Sequence, residues 1–427
     1  MDQRRFISFL LISIGVMLLF NRFFPPVQPA PQAQDAGAAA DEKAKPKDGA
    51  AANDVANKAD GEAKDAADKP AAAIGALPAV AAANTPAQLV TLGSLDMNSD
   101  YRMLVTLTNA GAAVYRAEMA SPRFRDQHDW SGYIGDLELK NVPGGVQVQV
   151  VGAGTPAANA TADGKSAPIE PQDLIVGVGN PQTKAIATID DLDRALAPTD
   201  AGQELVLQVK HADVAAQPRT VRLARRPLSV LRPEAENYAL RGAALPADFV
   251  DRPSFLTTFA TLGNAPLSKD NAKKLSEVLE SGTWELAAHD ESSATFKRAL
   301  PELKLEVVKR YSLAKAPANE RENPNYPAYD LQLEIEVHNT GDDKRSIGYR
   351  LDGPTGMTLE GWWYARKISQ HWGGGGLRDV AVRFAGSAEL SIDYSQIAKG
   401  KVASMGDGQA LAYGGVDGQY FSAILIP

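Results

Sequence analysis

The chain has 427 residues, of which 44% are apolar and 22% charged, with a formal net charge of −8 and no cysteine. This composition excludes a wholly disordered chain, a collagen and a polytopic membrane protein. The acidic balance argues against a nucleic-acid-binding protein, because phosphate contacts need a clustered basic surface. The lack of cysteine excludes a disulfide framework, thiolate-bound zinc and a thiol nucleophile.

The first 24 residues predict a membrane anchor. Arg4 and Arg5 precede the uncharged, apolar run Phe6–Phe20. Continued to Phe24, this run gives a helix of about 28 Å, close to the bilayer hydrocarbon thickness of about 30 Å. Pro25 then ends the helix. The arginines favour an N-terminus in the cytoplasm and an exported remainder. A cleaved signal peptide is the alternative, although a small-residue cleavage pattern is poorly developed here.

Residues 25–87 predict a disordered tether. They are rich in Ala, Pro, Lys and Asp, with few large apolar residues and no hydrophobic period. Such a segment buries too little apolar surface to offset its chain entropy. We interpret it as a flexible spacer between the membrane and the domains that follow.

After Leu89 the sequence predicts a mainly β protein, since short β-type runs alternate with Gly, Pro and Asn. The predicted strands include Met103–Thr108, Val146–Val151, Leu205–Lys210, Leu303–Tyr311, Tyr329–Asn339 and Val380–Phe384. The predicted helices are Ile189–Leu196 and Lys269–Leu279.

Residues 130–227 resemble a PDZ domain of the HtrA-protease type. The resemblance rests on an ordered series of segments: GYIGDLEL, GGVQVQVVGAGTPAANA, PQDLIVGVGN, TIDDLDRAL and GQELVLQVKH. Each segment alone is degenerate, and the match covers the whole stretch. A PDZ domain binds a peptide C-terminus by adding the peptide as a strand.

The resemblance implies a peptide-binding loop in the first of these segments. Its backbone N–H groups would form a nest for a terminal carboxylate, and the peptide would lie beside Leu137–Leu139 and the helix Asp191–Leu196. Asp136 departs from the family pattern, which has an apolar residue there, and its charge would repel a peptide terminus. A module that binds no peptide is therefore the alternative. The candidate residues are Tyr133, Ile134, Gly135, Asp136 and Leu137.

The flanking stretches resemble the large periplasmic domain of YidC-type membrane protein insertases. The resemblance begins with a strand, the turn Asn109–Gly111 and a second strand that ends at Met119. It continues with KRYSL at Lys309–Leu313 and with the chain end GQYFSAILIP at Gly418–Pro427. It also includes YRLDGPTGMTLEGWWYAR, whose family-motif residues, interpreted as structural, are Gly353, Pro354, Gly356, Leu359 and Gly361.

This resemblance implies a β-supersandwich of the mutarotase-like type, formed by residues 88–129 and 228–427 and interrupted by the PDZ-like module 130–227. It implies a single-pass protein of the inner membrane, mostly periplasmic, that supports insertion and folding of inner-membrane proteins by binding protein. The expected partners are Sec translocon components, nascent membrane proteins and, through the PDZ-like loop, peptide C-termini. The family's insertase helices would follow the last strand. We expect no enzymatic activity, cofactor or metal.

The alternative function is a stand-alone envelope protein that binds carbohydrate or acts as a mutarotase. It would need a cleft with a carboxylate, a histidine and stacking aromatic rings. The candidates are Glu360, His371 and the tryptophans Trp362, Trp363 and Trp372.

Overall fold

The computed structural model describes residues 85–212, 214–263, 265–323, 325–360, 377–400, 405–406 and 408–427. All of them belong to the second of two compact units, Asp68–Pro427. The predicted anchor (1–24), most of the predicted tether, Gly361, His371 and the three tryptophans lie outside the described residues. No helix within the described ranges has both the length and the apolar character that a membrane span requires.

The protein is mainly β, as predicted. In chain order the described strands are β1 (Leu89–Gly93), β2 (Met103–Thr108), β3 (Ala113–Met119), β4 (Gly132–Tyr133), β5 (Lys140–Val142), β6 (Gly145–Gln147), β7 (Thr161–Ala162), β8 (Lys165–Ser166), β9 (Leu174–Val178), β10 (Lys184–Ala185), β11 (Glu204–Lys210), β12 (Gln217–Arg222), β13 (Ala224–Arg225), β14 (Ser229–Leu231), β15 (Thr257–Leu262), β16 (Ala265–Pro266), β17 (Glu285–His289), β18 (Ser293–Leu300), β19 (Leu305–Leu313), β20 (Leu331–Asn339), β21 (Ile347–Leu351), β22 (Asp379–Phe384), β23 (Leu390–Ile392), β24 (Leu411–Asp417) and β25 (Ser422–Leu425). The described α-helices are α1 (Ile189–Leu196), α2 (Glu234–Leu240), α3 (Lys269–Ser276) and α4 (Tyr394–Ala398).

The larger of two hydrophobic cores, which we call the large core, is built from antiparallel sheets. One sheet has the order β1-β2-β3-β14, a second β17-β18-β19-β20, a third β16-β15-β21 and a fourth β23-β22-β24-β25. Every residue of β2 is buried, so this strand lies inside the protein on both faces. Trp284, Tyr311, Phe259 and Phe296 are the largest fully buried side chains of the large core.

Residues 130–227, which we call the insert, carry a second core of their own. Val146, Ile175, Leu207 and Val221 from its sheet pack on Leu192 of α1, and all five side chains are fully buried. The sheet has the order β5-β6-β9-β11-β12-β7-β8. The insert therefore has its own apolar interior rather than a share of the large core.

The two ends of the insert meet on one antiparallel pair of chain segments. The Asp126 amide donates to the Arg226 carbonyl at 3.1 Å, and the Leu228 amide donates to the Phe124 carbonyl at 3.2 Å. The chain thus leaves and rejoins the large core at adjacent points.

Local hydrogen bonds explain why the predicted bounds of α1 are confirmed and why those of β6 are not. Thr188 caps α1, since its side chain accepts from the Asp191 amide and the Asp191 carboxylate accepts from the Thr188 amide. This capping box stabilises the first turn, and the predicted range Ile189–Leu196 is confirmed. The predicted strand Val146–Val151 is too long: β6 ends at Gln147, after which the amides of Gln149 and Val150 both donate to the Leu137 carbonyl.

Candidate functional site

The predicted loop Tyr133–Leu137 lies against the large core. Tyr133, Ile134 and Leu137 are buried. The Tyr133 hydroxyl donates to Oε1 of Glu118, a residue of β3, at 2.6 Å, and it accepts from the Asp136 amide at 3.0 Å. The loop therefore joins the insert to β3, and one of its N–H groups already has an acceptor inside the chain.

Asp136 faces arginine side chains of the chain itself. Its carboxylate lies 3.4 Å from Arg116 and 3.6 Å from Arg226. Burial would raise the pKa of this carboxyl, but the guanidinium groups of Arg116, Arg226 and Arg232 outweigh burial and hold the pKa below its usual value. The charge that departs from the PDZ pattern is thus neutralised by internal partners.

Arg116 is the centre of this boundary. It is buried on β3, and it contacts three carboxylates, two from one loop of the insert and one from α2. The first is Asp136. The second is Glu138, whose Oε1 accepts a hydrogen bond from the Arg116 Nε at 3.0 Å. The third is Glu236 of α2, whose two carboxylate oxygens accept from the two terminal guanidinium nitrogens. Burial opposes the charge, but the carboxylates raise the pKa of Arg116 well above its usual value. One cation therefore holds the insert, β3 and α2 together.

Glu118 is a buried carboxyl beside a second carboxyl. Burial raises its pKa, and the neighbouring Asp136 raises it further. Its Oε1 accepts from Tyr133, while Oε2 has no donor among the described residues. Two adjacent carboxyl groups in a buried place hold one proton between them. Burial and the neighbouring Asp136 therefore both favour the protonated form of Glu118.

A groove of about 760 Å³ lies in the large core, away from the insert. Its floor is apolar and comes from β2, β3 and β14; the floor residues are Met103, Val105, Val114, Ala117, Met119, Val230 and Leu231. One wall is formed by residues 329–334 at the start of β20 and the other by residues 421–426 around β25. Ile424 is 37% exposed and Ile426 74% exposed, so this wall reaches solvent.

Both walls of the groove are sheet edges. β20 pairs only with β19, and β25 pairs only with β24, among the strands that the structure describes. An edge strand has unpaired backbone donors and acceptors on one side. An apolar floor between two such edges suits an extended polypeptide better than a small polar ligand.

A buried lysine supports the chain beside the groove. Lys309 of β19 is fully buried, and its ammonium group donates to the carbonyls of Gly111 (3.2 Å), Ala112 (2.9 Å) and Phe255 (2.7 Å). Burial lowers the pKa of Lys309 to about 7. Phe255 lines the groove, so this lysine joins β19 to a residue of the groove lining.

The predicted family-motif residues differ in their surroundings. Gly356 has φ +66°, and an added Cβ would lie 1.7 Å from the Arg232 carbonyl oxygen, so only glycine fits there. A Cβ added at Gly353 would instead project into open space. Pro354 and Leu359 are buried. The stretch 356–358 runs beside β14, because the Arg232 amide donates to the Gly356 carbonyl.

The carbohydrate site predicted from the sequence lies largely outside the described residues. Of these residues only Glu360 is described; its Oε2 accepts from the Tyr420 amide, and burial raises its pKa. Residues 361–376, with His371 and the tryptophans, lie outside the described ranges. The described residues contain no group of three or more His, Asp or Glu that could hold a metal.

Sequence reasoning missed the Arg116 and Glu118 pair and the buried Lys309. A signal for the pair is present in AVYRAEM, where an arginine and a glutamate stand two apart in a predicted strand. Residues two apart project from one face of a strand, and both neighbours of each are apolar or aromatic. Nothing local marks Lys309, because its three carbonyl partners come from distant segments.

Comparisons with protein-family models, with curated proteins and with solved structures found no match to this chain.

Proposed function

We propose that this chain is the membrane-anchored periplasmic portion of a YidC-like insertase and that it supports membrane-protein insertion by holding extended segments of client proteins. In this proposal the large core is a β-supersandwich and the insert is a PDZ-like module. The ordered motifs around the insert and the predicted N-terminal anchor support the assignment. The expected partners are the inner membrane, Sec translocon components and nascent membrane proteins.

The groove carries the proposal for client binding. Its floor presents apolar side chains, including Met103 and Met119, whose flexible thioethers adapt to different partners. Its walls present free backbone groups that do not depend on a client's side chains. A surface of this kind binds many extended apolar sequences with little selectivity, as a protein that handles diverse clients requires.

Glu118, Asp136 and Arg116 have a structural role in this proposal. They fix the insert to the large core and are surrounded by internal partners. Peptide binding by the loop Tyr133–Leu137 remains a prediction of the PDZ resemblance and is independent of client binding in the groove.

Photocrosslinking in cells tests the proposed function. A benzophenone amino acid replaces Ile424 on the groove wall or, as a control, Val250, an exposed aliphatic residue that does not line the groove. The full-length chain is expressed in a Gram-negative bacterium during pulse-labelling of membrane-protein synthesis. We expect crosslinks to nascent inner-membrane proteins from position 424 and few from position 250. Equal yields from both positions, or none from position 424, would contradict the proposal.

A further inference from the structure

We propose that a client segment binds in the groove by strand addition, pairing its backbone with the free edge of β20. The inference rests on the proposed function and specifies its binding mode. It assigns the contact to backbone hydrogen bonds as well as to apolar packing, and it defines the chemistry of the segment that fits.

The hydrogen bonds at the two ends of β20 fix which of its backbone groups are free. The Ala314 amide donates to the Asp330 carbonyl at 3.0 Å, and the Thr340 amide donates to the Lys304 carbonyl at 2.9 Å. Backbone groups alternate in direction along an antiparallel strand. The even-numbered residues of β20 therefore point to β19. The N–H and C=O groups of Leu331, Leu333 and Ile335 point to the open edge.

The same reasoning applies to the opposite wall. The Gly418 amide donates to the Phe421 carbonyl at 2.9 Å, in register with the pair Asp417 and Ser422. The backbone groups of Ser422 and Ile424 therefore point away from β24. Both open edges line the same groove, so an extended chain that enters it meets unpaired donors and acceptors.

The side chains on the β20 edge set the pattern of the client. Leu331 and Leu333 line the groove and pack against the large core, while Gln332 and Glu334 are exposed. A strand added beside β20 continues this alternation, because neighbouring strands share the pleat of the sheet. The fitting segment has apolar side chains at every second position.

The charges at the rim favour a basic residue at one end of the client. Arg310 lies 3.8 Å from Glu334, so these two charges offset one another. Asp330 also lines the groove, is exposed, and has no cation within ion-pair distance among the described residues. The occupant is therefore an extended segment of alternating apolar residues with a lysine or arginine near one end.

Backbone methylation of a probe peptide tests the binding mode on the unmodified protein. The probe is a fluorescent eight-residue peptide of alternating valine and threonine with a lysine at each end, titrated against the full-length chain in lipid nanodiscs. Two further peptides carry N-methyl groups on one or the other alternate set of amides. We expect at least one methylated peptide to bind about tenfold more weakly, because it loses its hydrogen bonds to the edge.

A matched pair of variants tests the edge itself. Leu333→Pro removes the outward N–H group, and Leu333→Ala shortens the same side chain but keeps that group. An edge strand tolerates proline where the N–H faces outward. We expect the unmethylated probe to bind Leu333→Pro about tenfold more weakly than Leu333→Ala, with similar thermal unfolding midpoints.

The outcomes separate the two proposals. If all three peptides bind the unmodified chain equally well, strand addition is wrong while client binding in the groove stands. If none of the peptides binds, strand addition is wrong and the proposed client binding is contradicted as well.

Discussion

Arg116 and Glu118 stand at alternate positions of β3, so both side chains face the insert. Arg116 meets carboxylates of Asp136, Glu138 and Glu236, and Glu118 meets the hydroxyl of Tyr133. These contacts are buried, where an unpaired charge is costly. At the scale of single residues, the junction between insert and large core therefore depends on matched charges.

Replacing Arg116 tests this junction. Arg116→Met leaves three carboxylates without their shared cation, and we expect the free energy of unfolding to fall by about 3–5 kcal/mol. Arg310→Met is the control, because its pair with Glu334 is exposed, and we expect a change within about 1 kcal/mol. Urea unfolding followed by tryptophan fluorescence measures both. Similar decreases in the free energy of unfolding of the two variants would show that the buried cluster stabilises the fold no more than an exposed ion pair does.

The protonation of Glu118 predicts a pH dependence. Its pKa is raised in the folded chain, so between about pH 4.3 and that raised value the folded state holds a proton that the unfolded state has lost. The stability of the natural chain therefore falls as the pH rises through this window. Glu118→Gln keeps the shape of the side chain but cannot titrate. Its stability relative to the natural chain should rise with pH above about 4.3, as measured by urea unfolding at each pH. A constant difference would mean that Glu118 is already ionised in the fold.

Asp136 has the opposite effect on stability. Its pKa is lowered in the folded chain, so the stability that it contributes is lost only as the pH falls below about 3.9, outside this window.

Sequence reasoning reached the residues Tyr133–Leu137 but not their partners. The loop is implied by the PDZ resemblance, which rests on the order of local sequence segments. Its contacts with Glu118, Arg116 and Arg226 depend on how distant segments pack, which neither periodicity nor spacing encodes. The departure at Asp136 was the informative local feature, since a charge in a normally apolar position has two arginine partners in the structure.

At the scale of elements, the stretch 353–359 shows two glycines with different roles. Gly356 has a left-handed backbone and lies against the Arg232 carbonyl beside β14, while Gly353 faces open space. The motif was predicted as a unit from a resemblance. The structure gives a physical reason for only one of its two described glycines.

A matched pair of substitutions checks this difference. Gly356→Ala places a Cβ where it clashes with the Arg232 carbonyl oxygen. We expect this variant to be destabilised by about 2 kcal/mol or more. Gly353→Ala adds a Cβ into open space, and we expect a change within about 0.5 kcal/mol. Thermal and urea unfolding measure both variants. Equal changes in the free energy of unfolding would mean that the close approach of residue 356 to Arg232 does not restrict which residue fits there.

Several of the longer strands and the regions of the helices α1 and α3 could be predicted from the sequence. β2, α1 and, within one residue, β3, β11 and β22 have the predicted bounds. The helix α2 was missed, although Pro233 precedes it and two glutamates stand in its first turn, a common start signal. Sheet order and the groove between β20 and β25 could not be predicted, because edges are defined by which strands fail to find a neighbour.

At the scale of the whole molecule, the insert has a core of its own, and its two chain connections to the large core lie side by side. Arg125 pairs with Pro227, and Asp126 with Arg226, so the insert can be replaced by a two-residue turn. Asn-Gly suits such a hairpin turn. The large core should then keep its sheets and its groove.

Removal of the insert should change the role of Arg116. In a chain with Gln127–Arg225 replaced by Asn-Gly, Arg116 loses Asp136 and Glu138 and gains contact with water. We therefore expect the cost of Arg116→Met to fall to about 1 kcal/mol in this background, by urea unfolding. An undiminished cost would show that Arg116 stabilises the large core without the insert.

Hydrogen–deuterium exchange with a bound client tests the central claim most directly. The full-length chain in nanodiscs is labelled with and without the valine–threonine probe peptide, and amide protection is compared along the sequence. The account predicts added protection at residues 329–335 and 421–426, where the two open edges line the groove. Protection confined to residues 132–139 and α1 would instead place the client in the insert and would contradict the account.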